Sequence, residues 1–323
     1  MSAQTPLVAP PKKRGRLYAI IAAAIVVVIA IVIGISVANS AKSSGDGAAA
    51  GDGAITKGLG SEADPVKIGV VGASDPYWEV YKQATADAGI SVEIVDFTDY
   101  AQPNPALTEG DLDLNQFQHI IYLAQYNESA GEDLAPIGAT AIYPLGLYST
   151  KYTSVDDIKE GETVAIPNDA SNLARALLVL QASDLVELKD GGSPFSTVDD
   201  VLPSSKVKVT TLDAALTPTS LPDVAAAIIN NDFVEDAGLS FDDAIASDDP
   251  TDPSAQPYIN IFAARAEDKD NEVLGELVKI FQNTKSVTDG LQETSGGTAT
   301  LVTTPVDELV DSLKKVQSDY ASQ

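Results

Sequence analysis

The sequence predicts an α/β protein of two lobes that face each other across a cleft. Three observations lead there. Strand-like and helix-like segments alternate from residue 65 onward, the pattern of a mostly parallel sheet covered on both faces. The alternation runs for roughly 260 residues, which suits two lobes better than one sheet. Two extended runs, at 140–149 and 255–262, sit where the chain would cross between lobes. A cleft between lobes is where small ligands tend to bind.

The chain ahead of the lobes has a different character. Residues 1–16 are polar and carry Lys12, Lys13, Arg14 and Arg16. Residues 17–38 form an uninterrupted uncharged run rich in Ile, Val and Ala. At about 1.5 Å per residue this run spans roughly 33 Å, enough to cross a bilayer. The basic flank predicts a cytoplasmic tail over 1–16, a single transmembrane anchor over 17–38, and everything after it outside the cell. A cleaved signal peptide cut near Val37-Ala38-Asn39 is the alternative, but the apolar run exceeds the usual signal core. Residues 39–65, mostly Gly, Ala, Ser and Asp, read as a flexible linker. The folded part is expected over 66–323, one lobe at about 66–142 plus 260–323 and the other at about 143–259.

Within it, residues 66–71 read as a strand closed by Gly72. A helix follows over 76–88, carrying Tyr77, Trp78, Val80, Tyr81 and Ala84, and then a second strand over 92–97. Residues 98–105 form a loop that opens a short helix. The apolar spacing from Phe117 onward predicts a further helix, entered by a turn at Gly110, Asp111 and Asp113. On that helix His119 and Tyr122, three apart, would share a face. Residues 163–167 are a strand and 171–182 a strongly apolar helix. Further strands are expected at 207–209, 225–229 and 258–262, with an acidic, proline-bearing loop at 242–256. Helices over 271–284, 286–293 and 305–320 finish the chain.

Several chemistries are excluded or weak. The net charge of −27 argues against nucleic acid or anionic lipid as a partner. With no cysteine there is no disulfide, no thiolate catalysis and no lipid-modified N-terminal cysteine. His119 is the single histidine, which leaves no usual nucleophile–base pair and no zinc spacing. There is no phosphate loop and no dinucleotide-type glycine fingerprint. Asp242, Asp243, Asp248, Asp249 and Asp252 lack the spacing of a calcium loop and read as solvated. An enzyme is not expected, nor is a cofactor or a metal.

Six positions carry a more specific signal. Phe117, His119 and Tyr122 together offer aromatic surface, an imidazole and a phenol, parts suited to a small, partly apolar ligand; a core helix with one satisfied histidine is the plain alternative. Arg175 is the lone cation on a helix apolar nearly all round, so burial demands a partner for it. A ligand carboxylate would serve, helped by the nearby helix N-terminus, and so would an internal salt bridge. Asn230 ends an apolar strand and Asn260 lies within one. Their amides offer a donor and an acceptor each, suited to α-amino and α-carboxyl groups, or to turn chemistry and a satisfied buried amide respectively.

Six ordered segments extend these signals. They are Val95-Asp-Phe-Thr-Asp-Tyr-Ala-Gln-Pro-Asn104, Gly110-Asp-Leu-Asp-Leu-Asn-Gln-Phe-Gln-His119, Ile142-Tyr-Pro-Leu-Gly-Leu-Tyr-Ser149, Val164-Ala-Ile-Pro-Asn-Asp-Ala-Ser-Asn-Leu-Ala-Arg-Ala-Leu-Leu-Val-Leu-Gln181, Ile228-Ile-Asn-Asn231 and Pro257-Tyr-Ile-Asn-Ile261. In these the chain, from about residue 66 to 285, resembles the NlpA-type, methionine-binding proteins of bacterial ABC importers. The resemblance implies a periplasmic-binding-protein-like clamp that captures L-methionine or a related small ligand and delivers it to an importer permease and, indirectly, its ATPase. Carried over, Arg175 would grip the ligand carboxylate and Asn230 and Asn260 its amino and carboxyl groups. Tyr100, Phe117, His119 and Tyr122 would line the side-chain pocket, where a thioether gains contact with aromatic rings.

The chain departs from the family pattern in three places. It has no N-terminal cysteine, it adds a helix at 305–320 after Gly296-Gly297, and it reads Ile120-Ile121-Tyr122 where the family often has Lys-Pro-Tyr. Other readings stay open: a binder of another amino acid or of a methionine-containing dipeptide, a surface adhesin or scaffold on the same fold, and, last, an extracellular hydrolase.

Overall fold

The computed structural model describes residues 54–235 and 237–322. The predicted tail, the anchor over 17–38 and the linker as far as residue 53 lie outside the described residues. Among the described residues no helix is long and apolar enough to cross a membrane.

The first sheet begins with β1 (Val66–Val71), α1 (Pro76–Asp87), β2 (Val92–Phe97), α2 (Pro103–Thr108), β3 (Leu114–His119), α3 (Ile120–Ala130) and β4 (Ala135–Ala139). After β5 (Ala141–Ile142) the chain crosses to a second sheet. That sheet comprises β6 (Gly146–Tyr148), β7 (Thr163–Pro167), β8 (Lys208–Leu212), β9 (Ala226–Ile229) and β10 (Ala246–Ser247), with α4 (Ala170–Ala182) between β7 and β8. The chain then returns as β11 (Asn260–Ala264), which slots antiparallel between β3 and β4. It ends with α5 (Glu272–Asn283), α6 (Lys285–Thr294), β12 (Thr300–Leu301) and α7 (Val306–Ala321). The strand orders are β2-β1-β3-β11-β4 and β10-β6-β9-β7-β8. Two sheets of five strands, joined by two crossings, make the two-lobed α/β clamp.

Burial explains the strands. β1 lies between β2 and β3 and buries every residue except Lys67, as a parallel strand covered on both faces must. Its core continues into α1, where Trp78 and Tyr81, three apart, meet the ring of Phe281 from α5 at 5.9 and 5.5 Å. Gly138 of β4 lets α5 approach: a Cβ there would lie 2.1 Å from Val278 Cγ1. The terminal helix α7 places Leu309, Leu313 and Val316 on one face, buried against Ile120, Ile121 and Leu134 of the first lobe.

One predicted element has a different form. Residues 114–119 are a strand, not the start of a helix, and the helix begins only at Ile120. All six residues of β3 are buried, so no amphipathic period marks it. Its polar side chains are satisfied internally. Asn104 donates to Gln118 Oε1 at 2.8 Å, and its own Oδ1 accepts from Asn115 at 2.8 Å and Gln118 at 2.6 Å. This amide network ties the start of α2, and the loop before it, to β3.

Candidate ligand-binding site

All seven predicted residues line one cavity between the lobes, with about 430 Å³ of non-atom space, part of it open to solvent. The first lobe supplies Tyr100 from the loop after β2, Phe117 and His119 from the end of β3, Tyr122 from the first turn of α3, and Asn260 from the start of β11. The second lobe supplies Arg175 from α4 and Asn230 from the residue after β9. Beside Phe117 the pairing of β3 with β11 slips: Gln118 faces Ile261 while Gln116 faces Phe262. Such a bulge re-aims side chains at the end of a strand.

Aromatic rings form one wall. Tyr100 lies 6.0 Å from Phe117, 6.3 Å from Tyr122 and 5.2 Å from Phe233, and Phe117 lies 5.6 Å from Tyr122. The Tyr122 hydroxyl donates to the Tyr100 carbonyl at 2.8 Å. The Tyr100 hydroxyl donates across the cleft to Asp232 Oδ2 at 2.8 Å. Burial, and then the charge of Asp232, pushes the Tyr100 phenol well above its usual range, so it stays a donor.

His119 is the N-cap of α3: its Nδ1 accepts from the Tyr122 amide at 3.2 Å. Its proton therefore sits on Nε2, 3.4 Å from Asn172 Oδ1 on the other lobe. Burial, and then the nearby Arg175 charge, lowers its pKa to about 3. The imidazole is neutral across the physiological range. It reaches Tyr122 by capping the helix rather than by sharing a helical face with it, which replaces the reading from spacing.

Arg175 has an internal partner. Its Nε donates to Asp248 Oδ2 at 2.6 Å, its Nη2 donates to the Tyr143 carbonyl at 2.8 Å, and its guanidinium carbon lies 4.2 Å from the centre of the Tyr258 ring. Asp248 Oδ1 accepts from the Leu145 amide at 2.8 Å. Asp248 belongs to the loop read from sequence as solvated; it is instead the salt-bridge partner that a buried arginine requires. The N-terminus of α4 is likewise taken, by Asp169, whose Oδ1 accepts from the Asn172 amide at 3.0 Å. What remains at Arg175 is Nη1, which makes no hydrogen bond among the described residues. Three further polar atoms nearby are buried without a partner among the described residues: Oδ1 of Asn230 and Oδ1 of Asn231, which line the cavity, and the hydroxyl of Tyr258, which does not.

Sequence reasoning missed Tyr143, Asn172, Asn231, Asp232, Asp248 and Tyr258. Asn231 and Asp232 directly follow Asn230, and Tyr258 precedes Asn260 by two, so adjacency was the available signal for those three. Asp248 and Arg175 are 73 residues apart, and nothing local links them.

Two α/β lobes joined by two crossings, with a half-aromatic, half-polar cavity between them, define a clamp of the periplasmic-binding-protein type. The family model described as "NlpA lipoprotein" matches residues 66–302, and the chain belongs to that family. A relative from Pasteurella multocida named "Probable D-methionine-binding lipoprotein MetQ" is 40% identical over 239 residues, covering 73% of this chain and 85% of the relative. A nutrient binding protein from Burkholderia cenocepacia, solved bound to methionine, superposes with TM-score 0.68 at 38% identity over 73% of this chain and 99% of its own. An "ABC transporter, periplasmic substrate-binding protein" from Coxiella burnetii superposes with TM-score 0.68 at 37% identity over 73% of this chain and all of its own.

Proposed function

We propose that this protein is the extracytoplasmic substrate-binding component of an ABC importer, capturing methionine between its lobes and delivering it to the permease. One observation carries the reading. A single cavity brings together a guanidinium N–H and two buried amide oxygens, all without a partner among the described residues, and the clustered rings of Tyr100, Phe117 and Tyr122. An α-amino acid answers all three: its carboxylate accepts from Arg175 Nη1, its ammonium donates to amide oxygens, and its thioether lies on the rings. In this reading Asn230 and Asn260 hold the amino and carboxyl groups, and Tyr100, Phe117, His119 and Tyr122 surround the side chain. The names of the Pasteurella relative and the two solved structures support both ligand and importer.

The relatives' anchor cannot be copied, because this chain has no cysteine to carry a lipid. We assign anchoring to residues 17–38, spanning the membrane once with the lobes on the extracellular side. The lobe boundaries follow the crossings, near 142–143 and 259–260.

Titration calorimetry with L-methionine, on protein unfolded and refolded to strip carried ligand, tests the reading. One-to-one binding that Arg175→Ala removes supports it. A folded, ligand-free protein that gives no binding rejects it.

A further inference from the structure

Charge is distributed unevenly around the cavity. Arg175 and Asp232 are the cation and the anion that line it among the described residues. Behind Arg175, Asp248 touches Nε at 2.6 Å while its other oxygen is held by the Leu145 amide at 2.8 Å. That carboxylate is fixed from two sides, and the guanidinium reaches the cavity with its charge already offset at contact distance. His119 contributes no charge. Asp232 is held in place by the Tyr100 hydroxyl at 2.8 Å. Among the described residues that line the cavity, the buried side-chain atoms awaiting a partner are acceptors, Oδ1 of Asn230, which is 8% exposed, and Oδ1 of Asn231. An anion offers them nothing, whereas an ammonium brings three N–H groups. Two of the surrounding phenols feel Asp232: Tyr100 and Tyr143 are pushed upward by burial first and by that carboxylate next.

We propose that the pocket selects its ligand by the α-ammonium and reads the acid end only as a hydrogen-bond acceptor, so that α-amino amides are ligands alongside α-amino acids. The inference rests on the amino-acid reading above and widens its substrate class. A carboxylate arriving at Arg175 shares the guanidinium with Asp248 and is repelled by Asp248 and Asp232. An amide carbonyl takes the same N–H from Nη1 without that repulsion. A ligand without the ammonium leaves two buried amide oxygens unanswered, the kind of loss that discriminates strongly.

The test is calorimetry on the full-length, ligand-stripped protein with three probes: L-methionine, L-methioninamide and N-acetyl-L-methionine. Methioninamide is expected to bind within about tenfold of methionine, and N-acetylmethionine more than about tenfold more weakly. Asp248→Asn keeps an oxygen for the Leu145 amide but removes the offsetting charge. Its preference for methionine over methioninamide is expected to rise at least about fivefold, whereas a purely structural loss would weaken both probes alike. Methionine binding with methioninamide more than about tenfold weaker overturns the inference alone, as does N-acetylmethionine binding as well as methionine. An unchanged preference in Asp248→Asn also overturns it. Failure of methionine to bind the folded protein overturns the amino-acid reading, and this inference with it.

Discussion

Replacing His119 by Asn is expected to make the fold less sensitive to acid. In the folded protein the imidazole pKa is about 3, against an ordinary value of 6.5. Between those values the unfolded chain binds the proton and the folded chain does not, so stability falls as pH falls. From the two values, the wild-type protein loses about 2 kcal/mol through this one group between pH 8 and pH 5, and approaches ~5 kcal/mol only near pH 3. The loss has two causes that the site makes plain. Protonation would place a cation near Arg175 in a buried site, and it would fill Nδ1, which accepts from the Tyr122 amide. Asn is itself a strong N-cap and can accept from the same amide, so α3 keeps its start without a titrating group. The assay is urea unfolding of ligand-free wild type and His119→Asn at pH 8 and pH 5. The variant is expected to begin less stable, having lost ring contacts with Tyr122 and Tyr258, but to lose about 2 kcal/mol less on acidification. Asp113 and Asp169 titrate in the opposite sense, their carboxyls being pushed up by burial, and the comparison at matched pH cancels them. Equal losses in the two proteins would refute the reasoning.

Three further outcomes follow from the packing. Arg175→Ala is expected to weaken methionine more than about 100-fold by calorimetry and to cost about 2 kcal/mol in urea unfolding, since it also leaves the partly buried Asp248 without its cation; unchanged stability would mean that the ion pair adds nothing to the crossings. Asn104→Ala, which cuts the amide network under the Tyr100 loop, is expected to cost about 2 kcal/mol in urea unfolding, and a loss below about 0.5 kcal/mol would show that the network is dispensable. Leu313→Ala is expected to cost about 2–3 kcal/mol by the same measurement; a neutral result would mean that α7 does not share the stability of the first-lobe core.

Much of the architecture was legible along the chain. The apolar runs at 66–71, 92–97 and 163–167 became β1, β2 and β7, and the helices predicted at 76–88, 171–182 and 271–284 became α1, α4 and α5 within a residue or two. The strands among these are short apolar runs bounded by turn residues and the helices are apolar-periodic segments, so the pattern is written locally. β3 was not legible as a strand because it is covered on both sides and carries Asn115, Gln116 and Gln118, whose partners come from Asn104 and Thr140 elsewhere.

By itself the sequence determined the residue types that a pocket would need: one histidine, one arginine on an apolar helix, one asparagine ending a strand and another within one, and the aromatics Tyr100, Phe117 and Tyr122. Its ordered segments were enough to suggest the family. Only the tertiary structure decided how those residues are used. It brought Tyr100 to Asp232, His119 to Asn172 and Arg175 to Asp248, pairs separated by 132, 53 and 73 residues. It also left the amide oxygens of Asn230 and Asn231 as buried acceptors without a donor among the described residues. The physical reason is range. Periodicity and capping are set by neighbours a few residues away, whereas the charge and hydrogen-bond balance of a cleft is set by whichever groups two separate sheets carry into the same small volume.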